Sequence, residues 1–273
     1  MVKRKLAPEM RLACFTLDLE DDWYFNEPGF DHLTFEYIDE FIELVSSLDI
    51  PVTVFAVGKT LEKFPEDVAL LQDKLDSEFH LHSYSHDITK SYDFEEEVAK
   101  GIDAFESFFK KKPRGYRAPQ GNIEPGEIRH LDSVGFEFDS SIFPSFRPGI
   151  YSNLDKPLHP YSPPGTEQIV EYPIGAIPGV RLPISQSYVK LLGRPYLRSF
   201  KYVPLPNVVV IDSHLQDFYR TASHDNLSTP LRQIHKRNLG NSIKLFKTLV
   251  RYLRTRGYKF VTLTEIHDGK VAL

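Results

Sequence analysis

The feature that most constrains this chain is its alternation of short β-rich runs with longer segments of helical period. Residues 12–19 read as a first strand, 35–48 as a helix with apolar Ile38, Phe41, Ile42 and Val45 on one side, and 51–57 as a second strand. The pattern continues with a helix over 61–75, a strand over 79–82, a helix over 94–109, a strand over 115–117, a helix over 125–134 and a strand over 136–138. Such alternation implies a parallel sheet with crossover helices, and 273 residues suffice to close it into a single α/β barrel domain spanning 1–273.

Residues 143–183 break the rhythm with nine prolines, too many for a long helix or a central strand. They are expected to form a stiff excursion over the barrel mouth, with short strands near 169–172 and 180–182. A strand over 208–212, an amphipathic helix over 239–256 ended by Gly257, and a last strand over 259–263 complete the reading. Functional groups of such barrels gather at the C-terminal strand ends. Asp18, His82, Arg117 and Asp139 each fall at or just beyond one, which brings residues distant in sequence to a common rim.

Composition narrows the function classes. The single Cys14 lies in an apolar run and is read as a packed core residue without a disulfide. The basic residues near the N-terminus are not followed by the apolar core of a secretion signal, and no stretch approaches the length of a membrane span, so a soluble cytoplasmic protein is expected. The net charge of −5 hides an asymmetry: residues 1–140 carry 15 Lys or Arg against 30 Asp or Glu, whereas residues 181–273 carry 16 against 5. A basic C-terminal third is either a solvated helical face or a means of attracting an anionic substrate or membrane surface.

Chemistry concentrates in two stretches. His82 and His86 are spaced so that two imidazoles can converge on one ion as the chain leaves a strand, a donor set suited to Zn and also to Fe, Co and Ni. Upstream, Asp18, Glu20, Asp21 and Asp22 crowd one strand end, where mutual repulsion calls for a cation. One carboxylate can ligate while another takes a proton from an activated water. Asp18 is the base if it points inward with Thr16, and Glu20 or Asp21 completes the metal shell. Asp22 is read as a solvated loop carboxylate and His80 as a supporting or structural residue. Trp23 and Tyr24 either stack on a sugar ring or pack in the core.

Taken in order, these motifs resemble those of the polysaccharide deacetylases, the carbohydrate esterase 4 group with the NodB homology domain, and especially their exopolysaccharide-associated branch. Thr16-Leu17-Asp18-Leu19-Glu20-Asp21, His82-Ser83-Tyr84-Ser85-His86, Arg117-Ala118-Pro119-Gln120-Gly121, the region 135–141 and Ser213-His214-Leu215 carry the resemblance over nearly the whole chain. It implies a deformed (β/α)7-type barrel and a metal-dependent hydrolase that removes an N-acyl group, expected to be N-acetyl, from a sugar in surface polysaccharide synthesis. In that scheme Asp18 is the general base held by Arg117, and His82, His86 and a carboxylate from Glu20 or Asp21 bind a divalent transition metal. That metal is expected to be Zn, with Co, Ni or Fe as alternatives. The Gln120 backbone N–H contributes to the oxyanion hole, and His214 is the general acid, with Asp139 as the partner that raises its pKa. The substrate is expected to be phosphate- or lipid-linked, with peripheral contact to an anionic membrane and no nucleic acid polymer as partner. The competing expectations are a deformylase or cyclic-amide hydrolase on the same fold, or a carbohydrate-binding barrel without turnover. One departure stands out: the Pro-Trp-Glu common after the fifth-motif histidine is replaced by Leu215-Gln216-Asp217.

Overall fold

The apolar run near the N-terminus becomes the central strand because both of its faces find partners. The computed structural model describes residues 10–25 and 27–271, so the basic cluster at residues 3–5 lies outside the described residues. Strand β1 (Arg11–Leu19) is buried at every position after Arg11. Ala13, Phe15, Leu17 and Leu19 pack outward against the helical layer, where Phe15 meets Phe246 at 4.7 Å between ring centroids. Leu12 and Cys14 face the barrel interior with Phe55, Phe138, Val210 and Leu263. Side chains alternate along a strand, so Thr16, Asp18 and Glu20 continue the inward series.

Parallel neighbours follow from β1 through β2 (Val52–Ala56), β3 (Ser77–Leu81), β4 (Gly115–Tyr116) and β5 (Phe138–Asp139). A small antiparallel ribbon, β6 (Phe146–Arg147) with β7 (Tyr151–Ser152), rises beyond β5, and β8 (Val170–Glu171) then pairs with β5. Strand β9 (Val208–Ile211) takes the other edge of β1, and β10 (Tyr258–Phe260) pairs with Arg11–Ala13 below β2. The ring closes between β8 and β9 through one bridge, Ile174 to Val210, with the Gly175 N–H donating to the Val210 carbonyl at 2.8 Å. A Cβ on Gly175 would stand 3.0 Å from the Val209 side chain, so the seam needs glycine for the close approach. A seam of isolated bridges makes this a deformed barrel, as the sequence implies.

The crossover helices are α1 (Ile38–Leu48), α2 (Gly58–Lys63), α3 (Pro65–Lys74), α4 (Phe94–Phe109) and α5 (Pro125–Ser133). The Asp93 side chain caps α4 by accepting the Glu96 N–H at 3.0 Å. After β8 come α6 (Gln186–Ser199), the short α7 (Ser223–Asn226) and α8 (Leu231–Lys236), then α9 (Ser242–Thr255) and α10 (Leu263–His267).

Several sequence expectations are corrected. The single helix over 61–75 is two, because Pro65 cannot continue the turn before it and instead starts α3. Residues 180–182 form no strand, since Arg181 adopts a positive φ of 57°. The last strand ends at Phe260, and Leu263 begins α10, capped by Thr262. Helix α6 has no counterpart in the sequence reading: Gly193 breaks it (φ 67°, ψ −149°) and Pro195 follows, which hides its period. No helix of the described residues is long and apolar enough to cross a membrane.

Candidate active site

The inward series of β1 leads directly to the chemistry. Past the last strand residue, Glu20 keeps the inward parity and meets both histidines: Glu20 Oε2 lies 2.5 Å from His86 Nε2 and 3.5 Å from His82 Nε2. Ligating atoms of Glu20, His82 and His86 all lie within 4.8 Å of one another, and the three residues are buried. Asp21 turns the other way, where its Oδ1 accepts the His32 N–H at 3.0 Å and its Oδ2 lies 3.8 Å from His32 Nδ1. The structure therefore brings Glu20, and not Asp21, to the histidine pair. Strand parity is the physical reason.

Two supports orient the histidines. The His82 Nδ1–H donates to the Arg117 carbonyl at 2.8 Å, which fixes the tautomer and leaves Nε2 bare toward Glu20 and Asp18. His86 is reached through a turn in which Ser83 and His86 have positive φ (59° and 56°), and the His86 N–H donates to Ser83 Oγ at 3.0 Å. Buried Glu97 of α4 clamps that turn from behind, its Oε1 accepting from the Tyr84 N–H (3.0 Å), Ser85 N–H (2.6 Å) and Ser85 Oγ (2.9 Å). Tyr24 stacks on His86 at 4.4 Å with rings 5° from parallel, whereas Trp23 packs edge-on against His224 and His235. His80, deeper on β3, accepts the Gly115 N–H and lies 3.3 Å from Glu78, a structural position in the barrel.

The donor set fits a divalent transition metal. Among the described residues His86 Nδ1 is buried without a hydrogen-bond partner and Glu20 Oε2 meets only the two imidazoles; two imidazoles with one carboxylate are the ligand types of catalytic Zn sites that keep a position open. Burial opposes a charge on Glu20, but His86, His82 and His214 hold its carboxyl well below the usual range, in the ligating form.

Asp18 stands beside this group. Its Oδ1 accepts from Arg117 Nη1 at 2.6 Å, while its Oδ2 lies 3.6 Å from His82 Nε2 and 3.8 Å from His214 Nε2. Arg117 is 1% exposed and wholly enclosed. It also donates to Thr16 Oγ1 (2.7 Å) and from Nε and Nη2 to the Ser140 carbonyl and hydroxyl (2.9 Å each), with its guanidinium 4.1 Å over the Phe55 ring.

His214 sits across from Asp18, a quarter exposed. Its Nδ1 lies 3.3 Å from Asp217 Oδ2, and its Nε2 points toward Asp18 and Glu20. Although burial disfavours charge there, Asp212, Asp217 and Glu20 raise the imidazole well above the ordinary histidine range. Asp217 in turn accepts from Ser187 Oγ at 2.8 Å on both oxygens and lies 3.1 Å from buried Lys190 Nζ. The expected partner, Asp139, is elsewhere: its Oδ1 accepts from Ser141 Oγ at 2.6 Å, and its carboxyl faces that of Glu171 on the neighbouring strand. The four-residue turn from His214 supplies the nearer acid, and the spacing His214-x-x-Asp217 was the overlooked signal. Asp212, 3.5 Å from Arg117 Nη1 and pushed up to about 6 by burial, and Gln216, whose Nε2 reaches Glu20 Oε1 at 3.4 Å, also escaped the sequence reading.

Two further expectations meet their outcome here. Asp22 is 1% exposed and accepts from the Thr34 N–H (3.1 Å), Thr34 Oγ1 (2.5 Å) and Ser223 Oγ (2.7 Å), so it is a buried tie between loops and not a solvated carboxylate. Gln120 has a positive φ of 55° just past Pro119; the adjacent Gly121 and Asn122 N–H groups bond to Ala118 and Pro119, while that of Gln120 has no partner among the described residues.

Comparison with known proteins bears on the fold and on the stretch that carries several of these residues. Residues 29–138, which include His82, His86 and Arg117, match the family model described as polysaccharide deacetylase. A peptidoglycan deacetylase-like protein, FGM2, of Gibberella zeae is 33% identical over 94 residues, a stretch covering 33% of this chain and 28% of that protein. Among solved structures, a Mycobacterium smegmatis protein assigned as a polysaccharide deacetylase superposes with a TM-score of 0.63 at 17% identity, covering 96% of this chain and 91% of the other. Puue allantoinase superposes with a TM-score of 0.64 at 14% identity, with coverage of 96% and 91%. At such identities the superpositions establish the fold. Over residues 29–138 the chain is therefore similar to the polysaccharide deacetylase family, and over nearly its whole length it shares the fold of structures carrying that description.

Proposed function

We propose that this chain is a metal-dependent hydrolase that removes an N-acyl group, N-acetyl in the first instance, from a phosphate- or lipid-linked sugar intermediate of surface polysaccharide synthesis. The observation that carries the reading is the convergence of Glu20, His82 and His86 beside an Asp18 whose one oxygen is held by Arg117 and whose other is free.

Glu20, His82 and His86 would hold the metal, with Zn as the first candidate and Co, Ni or Fe as alternatives; when bound, it supplies Lewis acidity toward the acyl carbonyl and a water molecule. Asp18 Oδ2 takes the proton of the attacking water, because Arg117 holds Oδ1 and so directs the second oxygen into the site. The Gln120 N–H is available to the oxygen that gains charge in the tetrahedral stage. His214 faces Asp18 with Nε2 and is held by Asp217 through Nδ1, so it carries a proton to the departing nitrogen. The C–N bond breaks, giving a carboxylic acid and an amino sugar.

The test is acid release from a panel of N-acetyl, N-formyl and cyclic-amide substrates by the purified protein loaded in turn with Zn, Co, Ni and Fe. Acetate release from an N-acetyl sugar, abolished by chelation and restored by metal, supports the reading. Turnover of only the cyclic amides or formyl compounds redirects it within the fold, and binding of sugars without turnover by any metal-loaded form overturns it.

A further inference from the structure

The basic third of the sequence has a definite place in the fold. Beyond Lys190, helix α6 and helix α9 part to leave a groove of about 620 Å³, a volume typical of small-molecule sites. Arg194, Arg198, Arg237 and Lys244 line it, and no Asp or Glu does. None of the four side chains has an ion pair or hydrogen bond among the described residues. By contrast, Arg114 pairs with Glu137 and Asp268, Lys90 with Glu127, and Lys190 with Asp217.

Four unmatched cations around one cavity repel each other and create a positive potential focused by its low-dielectric walls. Lys244 sharpens the anomaly, since it stands in the first turn of α9, where the helix macrodipole disfavours a cation and where no acid offsets it. The walls are built to stay apart. Gly193 breaks α6 at the groove, a Cβ there would lie 3.1 Å from Asn238 Nδ2, and that same amide donates to the Lys190 carbonyl at 2.9 Å. Tyr252 also lines the groove and offers an aromatic face to a sugar ring or acyl chain.

We propose that this groove is a binding site for a phosphorylated ligand, its phosphate oxygens taken by Arg198, Arg194, Arg237 and Lys244. Guanidinium groups bind phosphate with paired N–H donors, which suits three arginines around one anion. The site shares no residue with the metal cluster and stands independently of the deacylase reading.

The experiment is calorimetric titration of the metal-loaded protein with glucose 1-phosphate, paired with sedimentation on phosphatidylcholine vesicles with and without phosphatidylglycerol, at about 50 mM salt, where the Debye length still exceeds 10 Å. The proposal expects saturable binding of glucose 1-phosphate that weakens by about tenfold or more in Arg198→Glu and again in Lys244→Glu, and that is unchanged in Glu20→Gln. Co-sedimentation lost in the same variants, together with sugar phosphate binding, assigns the natural phosphate to a lipid headgroup; its absence assigns it to a soluble ligand. Binding that is equal in the charge-reversed variants, or no binding of glucose 1-phosphate at all, overturns the proposal, and vesicle binding alone makes the face a membrane surface instead. Both residues are exposed, and a matching circular-dichroism melting curve separates lost binding from lost fold. Because no turnover is measured, failure here leaves the catalytic reading standing, and failure of the catalytic assay leaves this one.

Discussion

Arg117 stands between two pairs of buried carboxyl groups, and the contrast between them is why we place the proposed chemistry on one side of the rim. On one side are Asp18 and Glu20, on the other Asp139 and Glu171, and all four are at most 7% exposed. Glu20 meets His82 and His86, and those imidazoles hold it well below the usual carboxylate range against the cost of burial. Glu171 meets mainly another acid. Burial and then Asp139 push it well above its ordinary value of 4.5, so it keeps its proton, while its Oε1 accepts the Ile142 N–H at 3.0 Å. Residue type and burial are the same; the partner decides whether a carboxyl group becomes an anion able to ligate or a neutral brace.

Breaking the reactive side should have the largest effect. Asp18→Asn is expected to lower kcat by about 10²- to 10⁴-fold, the span of general base catalysis, with metal content unchanged by atomic absorption; near-normal turnover would remove Asp18 from the mechanism. Glu20→Gln is expected to weaken metal binding by more than about 100-fold, beyond what loss of an outer-shell partner causes, whereas Asp21→Asn should change it by less than about tenfold. Competition with a chromophoric chelator measures both, and the reverse order would reinstate Asp21 as ligand.

The same contrast extends outward through His214. Lys190→Met leaves a side chain of similar length beside Asp217 but removes the charge that, with His214, holds that carboxyl low. Amide hydrolysis should slow by about tenfold, while hydrolysis of an aryl acetate, whose leaving group needs no proton, should change far less. Equal losses on both substrates would make Lys190 a purely structural cation.

The smallest effect is expected on the neutral side. Glu171 is protonated in the folded state above the pH at which it ionises in the unfolded chain, so its contribution is intact below pH 4.5 and is lost as pH rises through its folded-state value. Glu171→Gln carries no such ionisation. Thermal melts should show the variant gaining on the natural protein from about pH 4.5 upward, with kcat little changed; a difference independent of pH would mean that Glu171 is ionised in place.

Much of this was legible from local pattern. Helix α4 has the bounds its periodicity predicts, and each motif lies at the strand end where its spacing put it. The third ligand we propose was nearly legible as well: counting inward residues from Leu12 through Cys14, Thr16 and Asp18 reaches Glu20, and the choice over Asp21 turned only on where β1 ends. Asp217 was hidden differently, because a motif-based partner, Asp139, drew attention from an acid three residues away.

By itself the sequence determined the parallel barrel, the rim on which the motifs gather and the residue types of the proposed water-activating site, because strand parity and helical period are properties of neighbours along the chain. Tertiary structure alone decided that Asp139 faces Glu171, that Asp22 is buried, that Lys190 reaches Asp217 and that the C-terminal cations surround one groove. Those outcomes depend on which strands and helices meet across the fold, and it is those meetings that set the burial and the charges each group experiences.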